Sequence, residues 1–581
     1  MAGAMRELRP FLRLLKPHRH WMALGLLLAC TAGAAGAGLL GLAGWFISAS
    51  ALAGLTPLTA HLFNLLHPSV GLRIFAISRT AGRYAERIVN HDITFRILES
   101  LRTWFYLRLE PLAPAGLGKY RFGDILDRIV ADIDALDNLY IRVLTPSIVA
   151  MAMALLVTGI FWHFDPGAAL VLFSGMVLAG FVLPMVAGHA GTDPGRALAR
   201  HSARLRIHTV EGLQGLAELL VFNAADRHLR KIERCQNALI RTQGRMSHIG
   251  GATSAGLTLV SGASVGTLLY IGSGHVEDGQ LDGAILAMMA FAALAAFEVI
   301  WSLPAAFQYL SRTQEASRRL LEIVEQAPAV AFPAASAPPA DFDISFDGVT
   351  FRYDPEGPDV LKDFHLRIGH GERVAVMGAT GAGKSTLVNL LVRFWDPGEG
   401  LIFVGGQDIQ TLSEGCLRQG MAVVSQQSHL FNATIRENLR VACPNADDDQ
   451  LWSALRAARL DGFVSALPQG LDTWTGEAGQ RLSGGEARRM VIAQAVLRDA
   501  PLWLLDEPTE GLDSANEQQL MNTLYDLTAQ RTMLLITHRP VALDRMDRIA
   551  ILDNGRIVEE GRHRDLLATG KHYPHLWMKP R

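Results

Sequence analysis

From His20 to Leu72 the chain carries no Lys, Arg, Asp or Glu. A water-soluble domain does not leave so long a run uncharged, whereas a bilayer core about 30 Å thick is crossed by roughly 20 apolar helical residues. The run accommodates one long span, Trp21 to about Ser48, and a short outer loop holding Pro57 and Pro68. Residues 1–20 set Arg6, Arg9, Arg13, Lys16 and Arg19 among Leu8, Phe11, Leu12 and Leu15. That amphipathic pattern is expected to lie as a helix on the cytoplasmic membrane surface. The positive charge ahead of the span places the N-terminus inside.

Further apolar windows follow. A second helix is expected from near Ser69 to about Leu109, far longer than a bilayer is thick. Val143–Phe164 and Pro166–Thr192 are uncharged and separated by Asp165 in a tight loop. Met246–Val276 is followed by a polar turn with Glu277, Asp278 and Asp282, and then by Gly283–Ser311, interrupted only by Glu298. The count is six spans with both ends cytoplasmic. The long polar helical stretches between spans two and three, and four and five, form a cytoplasmic stalk. Gln326 to Ala340, rich in Ala and Pro, reads as a linker. Beyond it the texture changes to soluble α/β. The expected architecture is therefore an all-α transmembrane domain over 1–326 (surface helix 1–19), a linker over 327–340 and an ATPase domain over 341–581.

Composition agrees with a membrane protein: apolar residues make up 49% and charged ones 19%. A net charge of −2 gives no nucleic-acid footprint. The four cysteines, Cys30, Cys235, Cys416 and Cys443, lack the spacing of a disulfide framework or a zinc site. No small-residue cleavage site follows the first apolar run, so no removable signal peptide is expected.

The second half contains Gly378-Ala379-Thr380-Gly381-Ala382-Gly383-Lys384-Ser385-Thr386, between the strand-like Val374–Met377 and the helix-like Leu387–Val392. In that context the pattern is a phosphate loop. Its glycines let backbone N–H groups curl around phosphate oxygens, and the helix N-terminus adds partial positive charge. Lys384 is placed for the β/γ-phosphates and Ser385 for Mg²⁺. Downstream, Pro501–Leu505 is an apolar strand ending in Asp506 and Glu507. Asp506 is placed to hold Mg²⁺ through water and Glu507 to polarise the attacking water.

Leu482-Ser483-Gly484-Gly485-Glu486 resembles the signature motif of ATP-binding cassette (ABC) proteins, and the resemblance extends over the whole ATPase domain. By that resemblance, Tyr353 is the aromatic that stacks on adenine, and Gln426 the Q-loop glutamine that senses Mg²⁺ and the membrane domain. Gly476-Glu477-Ala478-Gly479 is similar to the exporter-type loop before the signature. Asp513 corresponds to the D-loop aspartate and His538 to the switch histidine on the γ-phosphate. The family implies that two such domains sandwich two ATPs, each held by one phosphate loop and the opposite signature. With one cassette, this chain must pair with a second half-transporter. Glu486 stands where Gln is usual, and Glu510-Gly511 where the D-loop has Ser-Ala.

The second span is unusually charged. At about 100° per residue, Arg79, Arg83, Glu86, Arg87 and His91 fall within an arc of about 140°. Ionisable groups at membrane depth are costly and line a cavity rather than face lipid. Arginines with a histidine suit an anionic ligand, a metal-bearing one included; Arg87 and Glu86 could instead pair with neighbouring helices. Glu298 is expected to pair with one of these arginines. Leu42–Gly54, Arg79–Leu98, Asp134–Pro146 and Asp506–Asp513 resemble the CydC family, one half of a bacterial inner-membrane heterodimer with a CydD-type partner. That resemblance implies a role in cytochrome bd assembly, with the cargo described both as thiols (cysteine, glutathione) and as haem. Haem needs an axial nitrogen and cations for its propionates, which His91 with Arg79, Arg83 and Arg87 provides. The expected cargo is haem, with thiol export as the alternative; lipid or drug export and a non-transporting membrane ATPase follow.

Overall fold

The computed structural model describes residues 2–120, 122–426, 429–476 and 479–577. The chain divides into two compact units, Met1–Glu110 with Lys119–Gln326, and Pro111–Gly118 with Ala327–Arg581.

The first unit is entirely helical. Ala2–Leu15 is the amphipathic helix, and its Leu8, Phe11 and Leu15 are buried, Phe11 meeting Trp104 edge-on at 5.3 Å. Six long helical runs follow, over Arg19–Ala53, Leu66–Leu109, 122–164, 166–214, Ala225–Glu277 and 283–324. Among the described residues five stretches are long and apolar enough to cross a membrane: Leu8–Ala53, Gly123–Phe164, Pro166–Gln214, Ala225–Glu277 and Gly283–Val324. The remaining run, Leu66–Leu109, is the charged second span, an unbroken 44-residue helix packed along Arg19–Ala53, although its arginines keep it out of that apolar set. Asp165 is the whole non-helical connection between the third and fourth runs; its Oδ1 accepts from the N–H groups of Gly167 and Ala168 and so caps the next helix.

The helices meet through small residues. A Cβ on Gly44 would lie 2.7 Å from the Phe291 ring and 2.9 Å from the Ala287 carbonyl oxygen. Ala292 and Met288 of the same facing helix, Gly283–Ile300, approach Gly41 at 3.2 and 3.6 Å from where its Cβ would be. With no water to exclude between helices, close backbone approach and dispersion hold such a seam together.

The second unit is α/β. Its strands are β1 (Ile344–Phe351), β2 (Leu361–Ile368), β3 (Arg373–Gly378), β4 (Glu399–Val404), β5 (Gln407–Asp408), β6 (Met421–Val424), β7 (Leu502–Asp506), β8 (Thr532–Thr537), β9 (Arg548–Asp553) and β10 (Arg556–Gly561). An antiparallel sheet has the order β2-β1-β4-β5, and a second sheet the order β10-β9-β3-β8-β7-β6. Within the second, β9, β3, β8, β7 and β6 are mutually parallel. These strands read as near-continuous apolar runs because both faces of the parallel core are covered, one by helices and the other by the helix Lys384–Leu391 together with the antiparallel sheet. The order puts the C-terminal ends of β3, β8 and β7 side by side, with Met377 opposite Thr537 and Asp506 opposite Ile536. The linker expected at 327–340 is not free chain. The Arg393 guanidinium lies 4.5 Å from the Phe332 ring centre and donates to the Ala331 carbonyl (3.0 Å), and the Ser413 N–H donates to Ser336 Oγ (2.8 Å).

Candidate functional site

The turn leaving β3 is the phosphate loop. Gly381 and Gly383 take φ of +86° and +101°, a region open to glycine at no steric cost. A Cβ on Gly378 would sit 2.2 Å from the Leu552 carbonyl oxygen, so the neighbouring strand also requires glycine there. The loop feeds the helix Lys384–Leu391. The Lys384 ammonium is buried and donates to the carbonyls of Gly378 and Ala379, both at 2.9 Å. Burial lowers its pKa, against the opposing pull of Glu507 and Asp506. It is thus a cation held back on its own loop, within reach of any anion the loop cradles.

Asp506 closes β7. Burial raises its carboxyl pKa, the hydrogen bond from Ser385 works the other way, and the Glu507 charge raises it further. Its Oδ1 is buried with no hydrogen-bond partner. A buried carboxylate oxygen left open beside the Ser385 hydroxyl fits a hard, oxygen-liganded cation such as Mg²⁺. Glu507 follows with φ 47°, a strained conformation for a non-glycine residue, fixed by its N–H donating to the Ile536 carbonyl (2.8 Å). Its Oε1 lies 2.9 Å from His538 Nδ1, and its Oε2 accepts from Gln426 Nε2 at 3.4 Å. Glu507, His538 and Gln426 are therefore one group, assembled from the ends of β7, β8 and β6.

Tyr353 is half exposed and anchored. Its hydroxyl is 3.1 Å from Thr386 Oγ1 and accepts from Asn389 Nδ2 at 3.0 Å, while Phe351 and Trp395 pack edge-on at 4.9 and 5.1 Å. The signature occupies the start of the helix Gly484–Arg498, which Ser483 caps. The Ser483 N–H donates to Glu486 Oε2 (2.8 Å) and the Glu486 N–H to Ser483 Oγ (3.4 Å). The unusual Glu486 thus completes a capping box, a task Glu and Gln perform alike. Ser483 and Gly484 remain exposed. Asp513 caps the helix Ser514–Leu527, its Oδ1 accepting from the Asn516 N–H at 2.9 Å. Of the exporter-type loop, Glu477 and Ala478 lie outside the described residues.

One participant is invisible to motif reading. Arg488, two residues past Glu486, donates to the carbonyls of Ser425 (2.7 Å) and Gln426 (2.9 Å). It holds the glutamine loop to the signature helix. The signal was an arginine on an otherwise apolar helical face, which sequence alone does not distinguish from a surface charge.

In the membrane unit the predicted stripe splits in two. Glu298 lies 3.6 Å from Arg79 and 3.5 Å from Arg83, the expected pairing, shared between both arginines. Glu86 turns to its own helix and accepts from Asn90 Nδ2 (2.8 Å); buried Asn90 in turn accepts from the Tyr140 hydroxyl (3.0 Å). Arg87 and His91 are exposed, one turn apart, with no hydrogen-bond or ion-pair partner among the described residues.

Residues 361–510 match the family model described as ABC transporter. The chain is 41% identical to the glutathione/L-cysteine transport system ATP-binding/permease protein CydC of Escherichia coli (strain K12), over 98% of this chain and 99% of that protein. It is 30% identical to the glutathione/L-cysteine transport system ATP-binding/permease protein CydD of Bacillus subtilis (strain 168), over 88% of this chain and 89% of the other. Its fold matches that of a bacterial Atm1-family ABC exporter solved with ATP bound, with a TM-score of 0.85 and 25% identity, over 96% and 97% of the two chains.

Proposed function

The chain belongs to the CydC family of ABC transporters, multi-pass membrane proteins that hydrolyse ATP, and from that premise we propose that it is one half of a heterodimeric pump for an anionic cargo, haem. The partner is a CydD-type half-transporter, the membrane is the bacterial inner membrane, and the ATPase unit is cytoplasmic. In the ATPase reaction Lys384 leaves its loop carbonyls for the β/γ-phosphates. Ser385, Asp506 and Gln426 would hold Mg²⁺, which would neutralise phosphate charge when bound. Glu507 orients and polarises the attacking water, and His538, already beside Glu507, meets the γ-phosphate. Leu482–Glu486 and Asp513 serve the nucleotide bound to the partner's phosphate loop.

The cargo reading rests on one observation: Arg87 and His91 are exposed and, among the described residues, unpartnered on the same helix whose Arg79 and Arg83 share the one carboxylate of Glu298. Leaving a guanidinium and an imidazole unpaired near membrane depth is costly, so a ligand with both carboxylates and a metal centre supports their retention. Titrating haem into the purified heterodimer tests this. His91→Ala should weaken haem binding about tenfold and shift the Soret band; an unchanged spectrum and affinity would remove His91 from the site. The relatives named for glutathione and L-cysteine transport favour a second reading, a thiol cargo held by the same arginines. Stimulation of ATP hydrolysis by glutathione or cysteine, but not by haem, would establish that second reading over the first.

A further inference from the structure

Buried Glu517 is a charge the hydrolytic scheme above does not use. It lies in the first turn of the helix Ser514–Leu527 and is only 3% exposed. Its two oxygens are divided. Oε1 accepts from the Thr509 hydroxyl at 2.8 Å, and Oε2 from Arg539 Nη1 at 3.1 Å. Arg539 Nη1 also reaches the Leu512 carbonyl at 3.4 Å. Arg539 directly follows His538, and its own N–H is held by Thr537 Oγ1 at 3.0 Å. Thr509 is two residues past Glu507, and Leu512 directly precedes Asp513. The carboxylate therefore joins the chain leaving β7 to the chain leaving β8, just behind the Glu507–His538 contact.

The loop between needs such a tie. Residues 507–513 form two successive tight turns, Glu510 N–H to Glu507 O (3.1 Å) and Leu512 N–H to Thr509 O (3.2 Å). Gly511 sits at φ +81°, so the loop passes through its most deformable residue between Glu507 and Asp513. Glu507 itself reaches β8 through its N–H on the Ile536 carbonyl (2.8 Å), but neither turn carries that tie further along the loop. The sideways bonds through Glu517 and Arg539 join the rest of the loop to the chain leaving β8.

We propose that Glu517 and Arg539 act as a positioning clamp that fixes Glu507 against His538 for ATP hydrolysis. A charge-assisted bond to a carboxylate with both oxygens satisfied is directional and stiff, which an apolar contact of the same volume is not. Neither residue touches the nucleotide in this scheme, so the clamp acts on the hydrolytic step and leaves ATP binding alone. It rests on the assignment of Glu507 to hydrolysis, which Glu507→Gln tests separately through loss of turnover with the clamp intact.

The experiment uses the full heterodimer with the partner's own catalytic carboxylate neutralised, so that turnover reports this chain's site. Glu517→Gln keeps the Thr509 bond and removes the charge. It should lower kcat about tenfold while the KM for MgATP stays within about twofold. Arg539→Gln should do the same, and the double variant should be no slower than either single one, because both break one link. Glu517→Met with Arg539→Met separates positioning from folding. Replacing a buried ion pair by apolar residues of similar volume commonly restores stability, so the melting temperature should recover while kcat stays low. Recovery of kcat along with stability, or a KM that rises as much as kcat falls, would overturn the clamp.

Discussion

Both units bury bulky apolar side chains, Phe161 and Phe297 in one and Trp503 in the other, but most of the exposed ones among the described residues lie on the membrane unit. In the ATPase unit Trp503, Tyr525 and Tyr573 are fully buried, and β3, β7 and β8 carry almost nothing but interior residues. In the membrane unit Leu155 is 61% and Tyr270 81% exposed, while Ala and Gly fill the helix seams. Each unit sorts side chains by the solvent it meets. Water drives large apolar groups inward; lipid is as apolar as leucine, so nothing drives them in, and close helix packing decides what is buried. The ATPase unit is therefore a rigid frame around a few irreplaceable polar atoms, and the membrane unit a set of seams with few polar anchors.

The comparison predicts where single substitutions hurt most. In the ATPase unit the largest loss follows removal of one charge. Lys384→Ala takes away the cation held at Gly378 and Ala379. Hydrolysis at this chain's site should fall at least about a hundredfold, the range seen when one preorganised electrostatic donor is deleted. Phosphate release by a heterodimer whose partner site is silenced measures it, and a residual rate above one tenth would contradict this role for Lys384.

In the membrane unit the damaging change adds volume instead. A side chain at Gly44 meets the Ala287 carbonyl as well as Phe291, and backbone cannot yield as a flexible side chain can. Gly44→Leu should cost at least about 1–3 kcal/mol, seen as a lower melting temperature of the membrane unit with nucleotide binding retained. Leu155→Ala, on the exposed face of the same unit, should change melting by less than about a degree. If Leu155→Ala destabilised the unit as much as Gly44→Leu, the contrast in how the two units are packed would fail.

The same contrast governs how much was legible in the sequence. The phosphate loop, Asp506–Glu507, Ser483 and His538 are local patterns at strand ends, and the sheet order then brings them together. Helix existence in the membrane half follows from uncharged windows, and even the charged helix ends at the expected Leu109, though it starts at Leu66, three residues before the expected Ser69. What stayed hidden depends on tertiary partners. The stripe Arg79–His91 reads as one face, but Glu86 accepts from Asn90, which Tyr140 holds in turn, and among the described residues Arg87 and His91 have no partner. Arg488 and the Glu517–Arg539 pair join segments separated by tens of residues, and no spacing rule reports that. The Ala/Pro linker looked unstructured because its anchor, Arg393, lies far along the chain.

The smallest expected effect sets function against stability within the ATPase unit. The folded pKa of Asp506 is raised, chiefly by burial. A carboxyl whose folded value exceeds its unfolded one weakens the fold above that value, and the penalty fades as pH falls through it towards the unfolded value near 3.9. Asp506→Asn removes the penalty, keeps a partner for Ser385 and leaves no orphaned anionic oxygen. The nucleotide-free melting temperature should therefore rise by about 2–4 °C at pH 7.5 for each kcal/mol relieved, and the variant's advantage should shrink as the buffer is made acidic. The added stabilisation conferred by Mg²⁺ with ATP should disappear, because Asn supplies no charge to the ion. A drop in the nucleotide-free melting temperature would mean that Asp506 is already compensated, and its open Oδ1 would then lose its meaning as a cation ligand held ready by the fold.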